Sequence, residues 1–404
     1  MKNINILQIN TKYSGGGAAN IASSLHNFIN ENTEHQSVFL HGRGKSNDPN
    51  SYKISNDLDV YFSAFSMRFF GESKNLYFDK QIERFIANAD IVHLHNLHGY
   101  YINYEKLINL IIKYQKPVVW TFHDVWPITG RCAIPTECTK WERGCRNCKY
   151  RYIYPKSYID KSRKLWIKKK SIFSKLLSNK TVIVTPSKWL ANELRKSYFK
   201  EFNIEIIPNG VRNSPYSGVD KKILREELNL PTDKKIILFV AADINDERKG
   251  IKYVLDIINE FDQDILFLSV GKEIRNVKTD KLKQMGYISD REILNKIYRS
   301  SNIYINTTLG ETFSLTTAEA LSNALPVVAF NVGPIPDLVD ENCGILVEKG
   351  NSKELKNAIN KLVYDEQLLR KFSLNALKKY EENYTLEKFA ERYLNIYKKL
   401  IEKS

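Results

Sequence analysis

The chain reads as an α/β protein of two domains, and three observations say so. Short β-rich runs alternate with helical stretches almost throughout, the pattern of parallel sheets covered by helices on both faces. At 404 residues the chain exceeds one typical domain and suffices for two separate cores. One turn-rich stretch, Pro208-Asn209-Gly210 through Tyr216-Ser217-Gly218, interrupts the alternation near the middle.

The strand candidates before that stretch are Asn5–Ile9, Gln36–Leu40, Asp90–Leu94, Pro117–Phe122, Thr181–Thr185 and Ile204–Ile207. A second series follows it, with Lys235–Val240, Asp264–Val270, Asn302–Asn306, Pro326–Phe330 and Gly344–Val347. The last forty or so residues lack strand signals. They carry Leu386, Phe389, Tyr393, Ile396 and Leu400 at helical spacing. The expected division is 1–207, with a cysteine-rich insertion near 130–150, then 208–384, then a terminal helix over 385–404 that can return to the first domain.

Composition is that of a soluble globular chain, 43% apolar and 26% charged, which excludes disordered and fibrous classes. The opening MKNINILQIN breaks its apolar run with Asn and Gln, and no later run approaches the ~20 residues needed to span a bilayer. A cytoplasmic location is expected. Net charge is +15, and residues 151–180 hold ten Lys or Arg against one acid, Asp160. That run reads either as a solvated helix face or as a contact for an anionic membrane or polyanion. Lys161, Arg163, Lys164, Lys168, Lys169 and Lys170 are interleaved with Tyr158, Leu165, Trp166, Ile167 and Phe173, a mixture suited to a membrane surface.

Four of the five cysteines, Cys132, Cys138, Cys145 and Cys148, fall within seventeen residues, spaced C-x5-C-x6-C-x2-C. The last pair has the spacing of a zinc knuckle, while the first two stand wider apart than usual. A structural zinc ion is expected, with free thiols or disulfides as the alternatives.

Several segments carry candidate chemistry. Ser14-Gly15-Gly16-Gly17-Ala18 links the first strand to a helix, and Gly16 and Gly17 let the backbone approach a phosphate at the helix start. It is not a G-x-G-x-x-G fingerprint, and no acid closes Gln36–Leu40, so a nicotinamide cofactor is disfavoured. His123 and Asp124 end an apolar strand on the side where open α/β sheets bind ligands. Glu247-Arg248-Lys249-Gly250 sets two cations before a helix expected over Ile251–Asn259, where they can neutralise a diphosphate. The sharpest signal is Leu309-Gly310-Glu311-Thr312-Phe313-Ser314-Leu315-Thr316-Thr317-Ala318-Glu319, with Glu311 in a loop after a strand and Glu319 in the next helix. Loop and helix-start N–H groups there would face phosphates, and the carboxylates would accept bonds from sugar and ribose hydroxyls.

Together these segments resemble the retaining glycosyltransferases of family 4, of the bacterial cell-surface polysaccharide type. The resemblance runs through Gly15–Gly17, Thr121–Asp124, Thr185–Leu190, Pro208–Val211, Arg248–Gly250, Gly286-Tyr287-Ile288 and the Glu311 to Glu319 spacing, nearly the whole chain. It implies the GT-B fold, two Rossmann-like domains facing each other across a cleft. It also implies transfer of a hexosyl or N-acetylhexosaminyl unit from a nucleoside diphosphate sugar to a saccharide or lipid-linked acceptor, with retention. Glu311 would contact the donor sugar, Glu319 the ribose, Lys249 the diphosphate, and His123 the donor sugar near the reacting centre. Gly16, Gly17, Asn209, Arg248, Tyr287, Phe313, Ser314, Leu315 and Thr316 would complete donor binding.

Three positions depart from the family pattern. Ser314 stands where glycine is usual, Ile244 where an arginine usually precedes the lysine, and Ala324 where glycine often precedes a strand, with Asn323 able to supply the left-handed residue. No separate nucleophile and no catalytic metal are expected, since cations at Lys249 and the helix start at Thr316 can stabilise the leaving group, and no Asp-x-Asp marks the predicted site. Rival readings are a sugar-nucleotide epimerase or phosphorylase of the same fold, and a basic polyanion-binding protein. No nucleic-acid partner is expected, and the enzyme would sit peripherally on the inner face of the cell membrane.

Overall fold

The computed structural model describes residues 3–403, apart from 135, 136, 276 and 278. Two compact units emerge, Met1–Gly210 together with Leu386–Ser404, and Val211–Thr385.

In the first unit seven parallel strands pair in the order β3-β2-β1-β4-β5-β6-β7. They are β1 (Asn5–Lys12), β2 (Gln36–Arg43), β3 (Ser51–Lys53), β4 (Ile91–Leu94), β5 (Val118–Thr121), β6 (Thr181–Thr185) and β7 (Asn203–Ile206). Strands covered by helices on both faces need side chains that tolerate burial throughout. β4, β5 and β6 are accordingly buried at every position. Trp120 anchors this core, in ring contact with Phe122, Phe173 and Phe199.

The terminal helix Leu386–Glu402 belongs to this unit. Its Tyr397 hydroxyl bonds His93 Nδ1 at 2.6 Å and its Tyr393 hydroxyl bonds Thr121 Oγ1 at 2.8 Å. Gly210 lets it close in, because a Cβ there would lie 2.6 Å from Phe389 Cβ.

In the second unit six parallel strands pair in the order β10-β9-β8-β11-β12-β13. They are β8 (Lys235–Val240), β9 (Ile265–Val270), β10 (Leu282–Gln284), β11 (Ile303–Asn306), β12 (Val327–Phe330) and β13 (Gly344–Val347). The chain enters and leaves this unit side by side, Val211 N–H donating to Tyr384 C=O at 2.8 Å. In each sheet the strand order reverses once, between β1 and β4 and between β8 and β11. Ligands of open α/β sheets bind at the carboxyl side of such reversals.

Several expectations are corrected. β3 and β10 were not expected, being three-residue edge strands of sequence SYK and LKQ with no apolar run to announce them. The helix expected over Ile251–Asn259 stops at Leu255 and gives way to a 3₁₀ turn at Ile258–Glu260. Ala324, not Asn323, takes the left-handed conformation before β12, at φ +57° against −99°. In the basic segment, the helix Ser162–Phe173 turns Leu165, Lys169 and Phe173 into the core, so these three cannot meet a membrane. Lys169 is held there by donating to Trp126 C=O and lying 4.0 Å over the Trp126 ring. No described helix is long and apolar enough to cross a membrane.

Candidate functional site

At the carboxyl edge of the second sheet, the loops after β8 and β11 meet where the strand order reverses. The turn 246–250 follows β8, and its backbone is stitched to the loop after β11. Leu309 N–H donates to Arg248 C=O at 2.7 Å, and Thr307 Oγ1 donates to the carbonyls of Lys249 and Gly250 at 3.0 and 2.9 Å. That stitching aims Lys249 at Glu311, with Nζ 2.5 Å from Oε1. Arg248 points elsewhere, its guanidinium closing on Asp246 of the same turn.

Ser314 opens the helix Leu315–Ser322 in the left-handed region, φ +87°. A serine keeps that glycine-like conformation because its hydroxyl bonds Asn306 Nδ2 at 3.0 Å and Thr317 Oγ1 at 2.9 Å. No side chain caps this helix start. First-turn N–H groups are thereby left to an anion. Thr316 Oγ1 accepts from Tyr304 at 2.8 Å. Phe313 is buried among the core side chains, so only its backbone belongs to the site. Leu315 is partly buried.

One turn on, Glu319 accepts from Arg291 Nη1 at 2.5 Å and from the Tyr298 hydroxyl at 3.2 Å. Burial holds the Tyr298 phenol well above its usual range, so it remains a donor to the carboxylate at every physiological pH. Arg291 was not foreseen. Tyr287, after the left-handed Gly286, is 66% exposed. Ile244 is buried in the core, so the family's arginine position carries no ligand group here.

The first unit gathers four of the chain's seven histidines at the ends of β4 and β5. His123 Nε2 lies 2.9 Å from His95 Nδ1, and their rings stack at 21°. His95 continues to the Gln8 side-chain amide at 3.0 Å, and His98 Nε2 meets Asp124 Oδ2 at 2.6 Å. Burial lowers His123 to about 4, with nearby Asp124 pulling upward against it and His98 pulling further downward. His93 and His95 are held well below the ordinary range, again by burial first. These rings are therefore neutral near pH 7 and can relay or donate one proton each. His95 and His98 were missed. The triplet His93, His95, His98 at the end of a strand was the available signal.

Gly16 adopts φ +145° ahead of the helix Gly17–Asn32, and Gly15 φ +83°. Among the described residues no atom lies within 4 Å of a Cβ built on either, so open space faces this loop. Asn209 is buried, and its Oδ1 finds no partner among the described residues.

Cys132, Cys138, Cys145 and Cys148 line one small cavity with Trp141. The neighbouring Cys132 and Cys148 thiols shift each other, Cys132 upward and Cys148 downward. Gly130 N–H donates to Cys145 Sγ at 3.0 Å. As they stand, no three His, Cys, Asp or Glu among the described residues are grouped to hold a metal ion.

The chain is similar to known proteins in sequence and fold. Residues 15–214 match the family Glycosyltransferase Family 4, and residues 234–365 match Glycosyl transferases group 1. The putative colanic acid biosynthesis glycosyl transferase WcaC of Escherichia coli is 25% identical, over 97% of this chain and all of its own length. A glycosyltransferase of Rickettsia africae superposes with TM-score 0.70 at 18% identity, over the full length of both chains. HepE of Anabaena, solved with UDP-glucose, superposes with TM-score 0.65 at 13% identity, over 98% of this chain and 99% of its own. Two parallel-sheet units, a carboxylate pair spaced over a loop and helix start, and matches along most of the length place the chain in the family 4 glycosyltransferases of the GT-B fold.

Proposed function

We propose that this glycosyltransferase moves a hexosyl or N-acetylhexosaminyl unit from a nucleoside diphosphate sugar, with retention of configuration, to a saccharide or lipid-linked saccharide during surface polysaccharide synthesis. The observation that carries the reading is the convergence of Lys249, Glu311 and an uncapped helix start at the β8/β11 reversal. Lys249 and the helix N–H groups offer positive charge to the departing diphosphate. Glu311 accepts from the donor sugar and Glu319, steadied by Arg291 and Tyr298, from the ribose. His123 supplies a neutral imidazole for a sugar hydroxyl. The likeness to WcaC supports a polysaccharide pathway, and HepE with its UDP-glucose supports a nucleotide-sugar donor. Catalysis is proposed to rest on these protein charges, so adding or omitting magnesium or manganese should leave the rate unchanged.

The test pairs a donor panel with two variants. Screened by thermal shift, one nucleoside diphosphate sugar at 100 times its dissociation constant should stabilise the chain by about 2.7 kcal/mol. Glu311→Ala should lower turnover by about 10²-fold or more while nucleoside diphosphate affinity holds, and Glu319→Ala should weaken that affinity by about tenfold or more. Wild-type turnover and affinity in both variants would refute the assignment. Retention is read from the anomeric proton coupling of the product.

For the cysteine loop we propose a structural zinc ion, away from the donor chemistry. The support is four thiols on one cavity, with the Cys145 sulfur already accepting from Gly130 N–H.

A further inference from the structure

The helix Asp57–Phe70 buries Val60 and Met67 but leaves most of its large apolar side chains outside. Its buried side includes Asp59, Ser63 and Ser66, and each is spent on one short segment of chain. Asp59 accepts from Leu76 N–H at 2.8 Å and Asn75 Nδ2 at 3.2 Å, Ser63 donates to Lys74 C=O at 2.6 Å, and Ser66 donates to Glu72 C=O at 2.8 Å. The opposite side carries Leu58, Tyr61, Phe62, Phe65 and Phe69, at i, i+3, i+4, i+7 and i+11, one continuous stripe. Leu58 is 79% exposed, Tyr61 72% and Phe65 51%. Phe65 and Phe69 have ring centroids 4.5 Å apart. A row of aromatic side chains facing water is uncommon on a monomer and marks a surface that something covers.

Charge identifies the cover. The stripe runs on to Tyr158, whose ring lies 5.3 Å from Phe69 and whose N–H donates to Arg68 C=O. Cations follow at once. Lys161 lies alongside Gly71, and Lys164 reaches Glu72 at 2.8 Å. Residues 151–180 hold ten Lys or Arg and one acid, and of the ten only Lys169 is turned into the core. A second copy would bring the same positive charge against this rim. An anionic bilayer answers both halves of the surface, since rings settle at the headgroup boundary while Lys and Arg stay at the phosphates.

We propose that the Asp57–Phe70 face and the adjoining segment 158–164 dock this enzyme on an anionic phospholipid bilayer. The same helix end opens a cavity of about 310 Å³, lined by Met67, Glu72, Asn103, Tyr104 and Trp126, which docking holds beside the headgroups. Its aromatic and hydrogen-bonding lining suits the saccharide of a lipid-linked acceptor, a detail that rests on the proposed reaction; the docking does not.

Vesicle co-sedimentation tests this with the full chain. Wild type should bind vesicles of phosphatidylcholine mixed with phosphatidylglycerol and ignore phosphatidylcholine alone. Binding should fall when ionic strength rises from about 0.05 M to about 0.5 M. The double variant F65S/F69S should lose about tenfold in partitioning, since two rings leave the interface. K161E/K164E should lose binding comparably. F65S/F69S alters exposed residues and should keep the wild-type Tm, and K161E/K164E, which gives up the Lys164–Glu72 pair, should lower it only slightly. Absent binding by wild type, or undiminished binding by F65S/F69S, overturns the proposal. So does a wild-type dimer that F65S/F69S dissolves, with no vesicle binding, which would give the face to a second copy. No sugar nucleotide enters the assay, so a negative result leaves the transfer reaction standing.

Discussion

Gly250 shows how little room the proposed donor site allows. It sits at φ +70°, and a Cβ there would lie 2.0 Å from Thr307 C=O. Thr307 belongs to the loop that carries Glu311, and its hydroxyl is what ties that loop to Lys249. Gly250→Ala should therefore both strain the backbone and drive the loop off the lysine. The expected loss is about 3 kcal/mol or more of stability, by denaturant titration, with turnover down by about 10²-fold. Gly15→Ala is the control, since it has the same sign of φ with open space around it and should cost only about 1 kcal/mol. Equal effects of the two would mean the contact with Thr307 does not matter. At this scale Glu311, Glu319 and Lys249 were legible because loop, helix start and strand order fix their places along the sequence. Arg291 and the His95 relay were not, because their partners are brought in from Glu319, twenty-eight residues on, and from neighbouring strands.

Among the elements, strands buried on both sides announced themselves, whereas the polar edge strands β3 and β10 carried no signal. Helices were harder. The apolar spacing of Asp57–Phe70 is that of a core-facing helix, and periodicity states only that one side differs from the other, never which one faces inward. The basic helix misled in the opposite sense, hiding Lys169 under Trp126 while its spacing looked surface-like. The cysteine loop makes its own prediction. Protein purified under reducing conditions should carry about one zinc per chain, released by strong chelator with a fall in Tm. Cys145→Ser should do the same without affecting nucleotide affinity, since this loop lies in the other unit from Glu319. No zinc and an unchanged Tm in chelator would leave the four as thiols.

For the molecule as a whole, the buried histidines set a pH dependence. In the folded chain His93, His95 and His123 titrate below the ordinary 6.5, His123 at about 4. Between those values the unfolded chain binds more protons, so stability should drop as pH falls from about 6.5 towards 4, each ring contributing at most about 1.4 kcal/mol per pH unit. Urea titrations of the first unit's unfolding at pH 7 and pH 5 measure this, and His95→Gln should flatten the slope. A pH-independent midpoint would show that the rings are not buried neutral. The two-sheet architecture was readable from alternation alone. The helical spacing of the last residues, not the alternation, allowed a terminal helix returning to the first domain, and the chain does cross between units twice, at 210 and again at 385, so that the first sheet borrows its last helix from the far end of the sequence. On the ribosome this reverses the expected order of events. β4 and β5 emerge early, yet His93 and Thr121 receive their tyrosine partners only when residues 393 and 397 have been made. The second unit, continuous from 211 to 385, has all of its sequence in hand before the first does, so the half synthesised first is the half completed last.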